Sequence, residues 1–437
     1  SGVAGAIDDL TDGKSGGTDF TGSMILGHQT TGTLNNAQYN TAVGINAMDA
    51  LTSGDYNTAI GKDALTANTE GISSTAIGYA ALQSNTTGDY NTASGAHALQ
   101  SNTTGHYNVA VGNEALKSNI DGYYNTAIGS SALILNTSGN YNTAMGHQAL
   151  RSNTTGTRNI AIGPNAYEEA DTEDDNLAIG FNALGGPING GMKNIAIGNY
   201  SLDENTSGDT NIAVGYTALT SNTSGHNNGA YGYRALYSNI SGDNNVAVGY
   251  DALFSNTTGE QNTAVGNLSL LNTTTGDYNT AIGFQALYTN VTGEANNAMG
   301  YRALYTSTGD YNNAIGFQSM FRNETGSFNT AMGYNTLLEN TTGDSNTSFG
   351  AYALNKNTTG GKNTAVGQNA LNKNTTAGSN TAIGYDALTN ATGDGNTAMG
   401  KNAGNVITSG RANIIIGENS DPSADDTDYE IVIGAGA

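Results

Sequence analysis

The sequence predicts an all-β fold, a parallel β-solenoid (β-roll) of about 25 coils, on three observations. A 17-residue unit recurs through nearly the whole chain, apolar residues inside it alternate with a period of two, and helical spacing is nowhere found. Its cleanest copies read Asn-Thr-Ala-Ile-Gly-x-x-Ala-Leu-x-Ser-Asn-Thr-Thr-Gly-x-Tyr. The register follows the glycine that closes the first half of the unit, from Gly27 and Gly44 through Gly61, Gly180, Gly198, Gly300 and Gly316 to Gly384, Gly400, Gly417 and Gly434. Of its 24 spacings 21 are 17; Gly180 to Gly198 is 18, and Gly300 to Gly316 and Gly384 to Gly400 are 16, so loops absorb a residue and strands do not.

Repetition sets the domain organisation. A 437-residue globular chain would divide into several domains, but a repeat needs only its neighbours. We expect an N-terminal lead-in over 1–22 and a continuous solenoid over 23–437, with irregular coils at 164–193 and a terminal coil at 418–437. Only 12% of residues are charged and 37% hydrophobic, a composition compatible with disorder except that the apolar residues recur in fixed columns. The net charge of −23 disfavours nucleic acid and anionic membranes as partners. With no cysteine there are no disulfides or thiolate metal sites, and no stretch has the ~20 apolar residues of a membrane helix. The start at Ser1 suggests a processed product or a fragment.

Within the coil, Asn57-Thr58-Ala59-Ile60-Gly61 alternates as a strand, with Thr58 and Ile60 on one face and Asn57, Ala59 and Gly61 on the other. The alanine column (Ala42, Ala59, Ala76 and on to Ala398, broken by Ser348) requires something packed close behind it. Ala-Leu pairs such as Ala64-Leu65 and Ala81-Leu82 are expected to supply that as a second short strand. The opening asparagines, Asn57, Asn91, Asn108, Asn125, Asn142, Asn245, Asn262 and Asn279, are expected to stack as an amide ladder. The Ser-Asn-Thr-Thr-Gly segment reads as a turn, with glycines such as Gly88 free to take positive φ. At one strand spacing per coil, 25 coils would span on the order of 120 Å.

The face opposite alanine carries Ile60, Ile77, Val111, Ile128, Ile162, Ile179, Ile197, Val214, Val248, Val265 and Ile282. Leaving these wet would forfeit roughly 1.5–3 kcal/mol each, so this column is the candidate oligomer interface. Equal columns meet in a parallel homo-oligomer about a common axis.

Asn-Thr-Ala-Ile-Gly and Asn-Val-Ala-Val-Gly resemble the head repeat of YadA-like trimeric autotransporter adhesins. That resemblance implies a left-handed parallel β-roll whose three chains pack around an apolar centre. The longer Ser-Asn-Thr-Thr-Gly turn is similar to the repeat regions of phage tail-fibre-like proteins, which often precede a self-cleaving chaperone domain. Ala6-Ile7-Asp8-Asp9-Leu10-Thr11-Asp12 and Ile414-Ile415-Ile416-Gly417 look like the borders of such arrays.

His28, His97, His106, His147 and His226 occupy differing repeat positions, and no nucleophile recurs with a matching base, so no catalytic residue and no cofactor is expected. The acidic run Glu168, Glu169, Asp171, Glu173, Asp174 and Asp175 lacks calcium-loop spacing and reads as a solvated bulge, with no metal. Aromatics follow the strand-closing glycine repeatedly, and Tyr216, Tyr233, Tyr250 and Tyr301 are the candidate glycan contacts, although ring-on-ring stacking explains the column without a ligand. Asn85-Thr86-Thr87, Asn102-Thr103-Thr104 and Asn256-Thr257-Thr258 fit the glycosylation pattern. A threonine column including Thr58, Thr75 and Thr92 suggests an ice-binding solenoid, but Val109, Ile160 and Leu177 interrupt it. The expected function is a non-enzymatic structural shaft of an extracellular fibre, on a virion or cell surface, built as a homotrimer. The alternative is a glycan-binding adhesin module that uses the tyrosine columns and polar turns.

Overall fold

The computed structural model describes residues 13–15, 19–27 and 33–434. Most of the lead-in at 1–22, His28 and the last three residues lie outside the described residues. The chain is an all-β parallel solenoid with 26 strands of three residues each among the described residues, and no helix. It forms two compact units, 1–217 with 222–224, and 218–221 with 225–437.

In the first unit a short antiparallel strand, Gly13–Ser15, covers Met24–Leu26. From Met24–Leu26 to Ile212–Val214 the strands then pair in parallel and in register, as in Ala110 opposite Ala127 and Ala127 opposite Ala144. In the second unit the parallel series runs from Gly229–Tyr231 to Ile431–Ile433. Register survives the irregular spacings: Ala178 faces Ala196 across the 18-residue coil, and Asn297 faces Asn313 across a 16-residue one.

Coil 125–141 explains why this sequence closes on itself. Asn125, Ala127, Ala132, Leu133 and Asn136 are fully buried, whereas Thr126 and Ile128 point outward. The backbone is satisfied mostly by the neighbouring coils: Thr126 and Leu133 donate to Asn142 and Ala149 of the next one, and Gly129 and Ser131 donate to Val111 and Asn113 of the previous one.

The expected second strand is absent, and the Ala-Leu segment is two tight turns. Ala132 donates to the Gly129 carbonyl at 3.4 Å and Asn136 to the Leu133 carbonyl at 3.2 Å. Ser131 and Leu133 have φ of 58° and 52°. In a strand adjacent side chains diverge, yet Ala132 and Leu133 are both interior. Turning the leucine into the left-handed region brings both into one thin core, at a conformational cost of about 1–2 kcal/mol per leucine. Gly129, at φ 136°, is required by contact: a Cβ there would lie 2.3 Å from the Gly146 carbonyl oxygen of the next coil.

Two buried amide ladders run beside this core. In the first, the Asn125 side-chain carbonyl accepts the Asn142 backbone N–H at 2.9 Å, and its amide donates to Gly139 O at 2.8 Å. In the second, the Asn136 amide donates to Asn119 Oδ1 at 2.8 Å and to Gly139 O at 3.1 Å. Where serine replaces an opening asparagine, at Ser74, its hydroxyl still accepts the Asn91 N–H. Replacing Asn136 by Ala removes both donations and takes away the acceptor of the buried Asn153 amide, while Gly139 O keeps the Asn125 amide, so local stability should fall by about 2–4 kcal/mol. Denaturant unfolding should then develop a second, earlier transition.

Candidate functional site

Two kinds of surface column stand out from the invariant interior. Strand alternation turns the Ile/Val column outward: Ile60 and Ile77 are each 42% exposed, and Val111, Ile128 and Val248 are exposed to a similar degree. Ile162, Ile179, Ile197, Val214, Val265 and Ile282 occupy the same outward position and are half-buried.

Aromatic rings form the other kind. After the strand-closing glycine, Tyr233 stacks on Tyr250 with centroids 5.1 Å apart and planes 7° apart, and Phe284, Tyr301, Phe317 and Tyr334 stack in series. Tyr216 meets Tyr200 edge-on. Two further ladders escaped the sequence reading. Tyr90, Tyr107, Tyr124 and Tyr141 stack just before the opening asparagines, and Tyr288, Tyr305 and Phe321 stack after the Ala-Leu pair. The signal for both was recurrence at one repeat position. In these stacks ring faces are turned to one another, so the ladders offer edges and phenol hydroxyls to a ligand more than faces.

The acidic run is held by protein donors. Arg151 pairs with Glu168 at 3.0 Å, Thr157 N–H donates to Asp174 at 2.6 Å, and Arg158 grips Asp175 through Nε and Nη2 at 2.5 and 2.9 Å. The guanidinium lowers the Asp175 pKa from its ordinary value. Glu173 departs from the solvated reading: it is 5% exposed and accepts the N–H groups of Asp171, Thr172 and Gly190 at 3.0, 3.1 and 3.0 Å. It stands where other coils have glycine, and the extra residue of the following coil lets Gly190 reach it. Tyr167 fills the leucine position of the same coil, fully buried, and its hydroxyl accepts from Asn176 at 2.6 Å. Burial, reinforced by the Glu173 charge, pushes its phenol pKa well up. Among the described residues no three His, Asp or Glu converge as metal ligands.

Comparison with protein-family models and with curated proteins returns no match.

The described histidines stay apart. His106 Nδ1 accepts the Asp89 N–H at 2.9 Å, and His97 contacts Gln100 and the edge of Tyr79. The asparagines of the three glycosylation triplets are fully buried; the Asn85 amide donates to Gly88 O and Asn68 Oδ1, both at 2.9 Å, and so faces the core rather than a modifying enzyme. No helix among the described residues is long and apolar enough to cross a membrane.

Two substitutions test these local environments. Glu173→Ala leaves three N–H groups without their acceptor and should cost about 2–3 kcal/mol in chemical denaturation, with Glu173→Gln milder because one oxygen stays. Asp203 has its carboxyl held above the ordinary value, first by burial and then by Glu204, against an opposing hydrogen bond from Gly185. A raised folded pKa means the folded chain binds the proton more tightly than the unfolded chain, so ionised Asp203 subtracts stability at neutral pH and lowering the pH restores it. Asp203→Asn should accordingly raise the Tm at about pH 7 and leave it unchanged at about pH 3.

Proposed function

We propose that this chain is the non-enzymatic shaft of an extracellular fibre, in a phage tail fibre or a microbial surface filament, and that it works as a parallel homotrimer sealed along its Ile/Val column. The observation that carries the reading is the outward column itself. By ordinary side-chain areas it exposes on the order of 700 Å² in each unit, more than the patches soluble monomers usually tolerate and close to one partner's share of a standard interface. A parallel copy presents the same residues at the same rise, so the columns match coil by coil without new recognition chemistry.

The function is mechanical: stacked coils resist local opening because each is hydrogen-bonded to both neighbours, and the assembled columns add a shared apolar seam. The scattered histidines and the engagement of the acidic run by protein donors support a role without catalysis. The extracellular placement rests on the likeness of the repeat to adhesin heads and tail-fibre repeats.

Light scattering on the intact chain should give a mass three times that of one chain. Replacing Ile60, Ile77, Val111 and Ile128 together by Lys should reduce it to a monomer with the far-ultraviolet spectrum unchanged, because these side chains leave the coil outward. A monomeric parent chain would refute the assembly.

A further inference from the structure

The segment Tyr-Arg-Ala-Leu-Tyr occurs twice in the second unit, at 233–237 and at 301–305. In both copies the arginine lies between two aromatic ladders. The Arg234 guanidinium carbon is 5.2 Å from the Tyr233 ring centre and 4.8 Å from that of Phe254. Arg302 lies 5.2 Å from Tyr301 and 5.3 Å from Tyr305, both of its own coil, whereas Phe254 belongs to the coil after Arg234.

The copies differ in what the next coil places over the arginine. Above Arg234 stands Asp251, whose carboxylate is gripped through Nε at 2.8 Å and Nη2 at 2.6 Å. Above Arg302 the same position is Gln318; its backbone N–H donates to the Tyr301 carbonyl just as that of Asp251 donates to Tyr233. Arg302 bonds only Gln285, through Nε at 2.7 Å, and no carboxylate pairs with it. Half-buried and flanked by rings, Arg302 leans to the preceding coil, and its terminal amino groups bond no described residue. The first copy thus displays the complement of the second: a carboxylate seated two-pronged on the arginine.

We propose that Arg302, with the edges and hydroxyls of Tyr288, Tyr301 and Tyr305, is a binding site for an oligosaccharide that ends in one carboxylated pyranose and is otherwise neutral. The guanidinium takes the carboxylate through its terminal amino groups, the pairing of charges that Asp251 makes with Arg234. The tyrosine hydroxyls, repeated at one-coil spacing, meet sugar hydroxyls, and the ring edges cover the apolar side of the pyranose. The surrounding charge sets the limit on the ligand. Between Arg234 and Lys356 the chain has two basic residues, Arg302 and Arg322, in a molecule of net charge −23. A densely charged polyanion is repelled, while a single carboxylate on a neutral chain is admitted. The site is independent of the trimer: it uses the columns after the glycine and after Ala-Leu, not the Ile/Val column.

Saturation-transfer NMR on the intact chain, with sialyllactose as the acidic probe and lactose as its neutral counterpart, tests the proposal. Saturation of the carboxylated ring is expected for sialyllactose and none for lactose. Arg302→Gln should weaken the binding about tenfold or more. Gln318→Asp should do the same while keeping the Tm, since it copies an arrangement the chain already contains at 251. The site is overturned if the parent chain shows no transfer, if lactose is saturated equally, or if both variants bind like the parent.

Discussion

Most coils carry two buried asparagines, and their amides set the period of the chain. Asn125 and Asn136 are closed off from water, and both complete their hydrogen bonds through neighbouring coils. A buried amide left unpaired costs more than most side-chain contacts return. A coil that slipped by one residue would break both ladders at once, so every strand is held in register. The two kinds of irregular coil obey the same rule. The first 16-residue coil, after Gly300, gives up its residue in the turn while Ser307 stays at the ladder position within reach of Asn323, and the 18-residue coil inserts its extra residue between Leu184 and Gly191, which still accepts from Asn176.

With register held, the interior can be very thin. Ala127, Ala132 and Leu133 fill coil 125–141, and Gly139 is confined so closely that a Cβ would lie 2.4 Å from Asn136 Oδ1. Such a coil has too little apolar volume to be stable by itself. Its stability comes from backbone and amide bonds to both neighbours, which also hold each leucine in a left-handed conformation it would not adopt in isolation.

Fold class, period and the inward alanine and outward isoleucine assignment were legible because strand alternation leaves a direct trace in residue type. The Ala-Leu turn was not legible in the same way. A period-two reading has no means of representing two adjacent interior residues, and a leucine at positive φ has no compositional mark, unlike the glycine at 129. The second amide ladder was hidden for a related reason. Asn136 sits in a segment whose Asn, Thr, Ser and Gly content reads as a solvated turn, and only the three-dimensional closure of the coil turns that asparagine inward. Glu173 was misjudged because its neighbours are charged and exposed, whereas the glycine position it occupies faces the core.

A strict repeat separates structural from functional information. Residues that agree from coil to coil, such as the two asparagines, are explained by stacking, and their agreement says nothing about a ligand. Chemistry specific to one place has to arise where a coil departs from its neighbours without a structural need. Glu173 and Tyr167 depart together and compensate each other inside the coil, which marks them as structural. Arg234 departs and is answered by Asp251. Arg302 departs and finds glutamine instead, so its charge is unmatched on a surface whose ring ladders already limit what can approach. Arg302 is thus held by Gln285 and two rings without being neutralised, and in this it differs from Arg234, whose charge Asp251 meets.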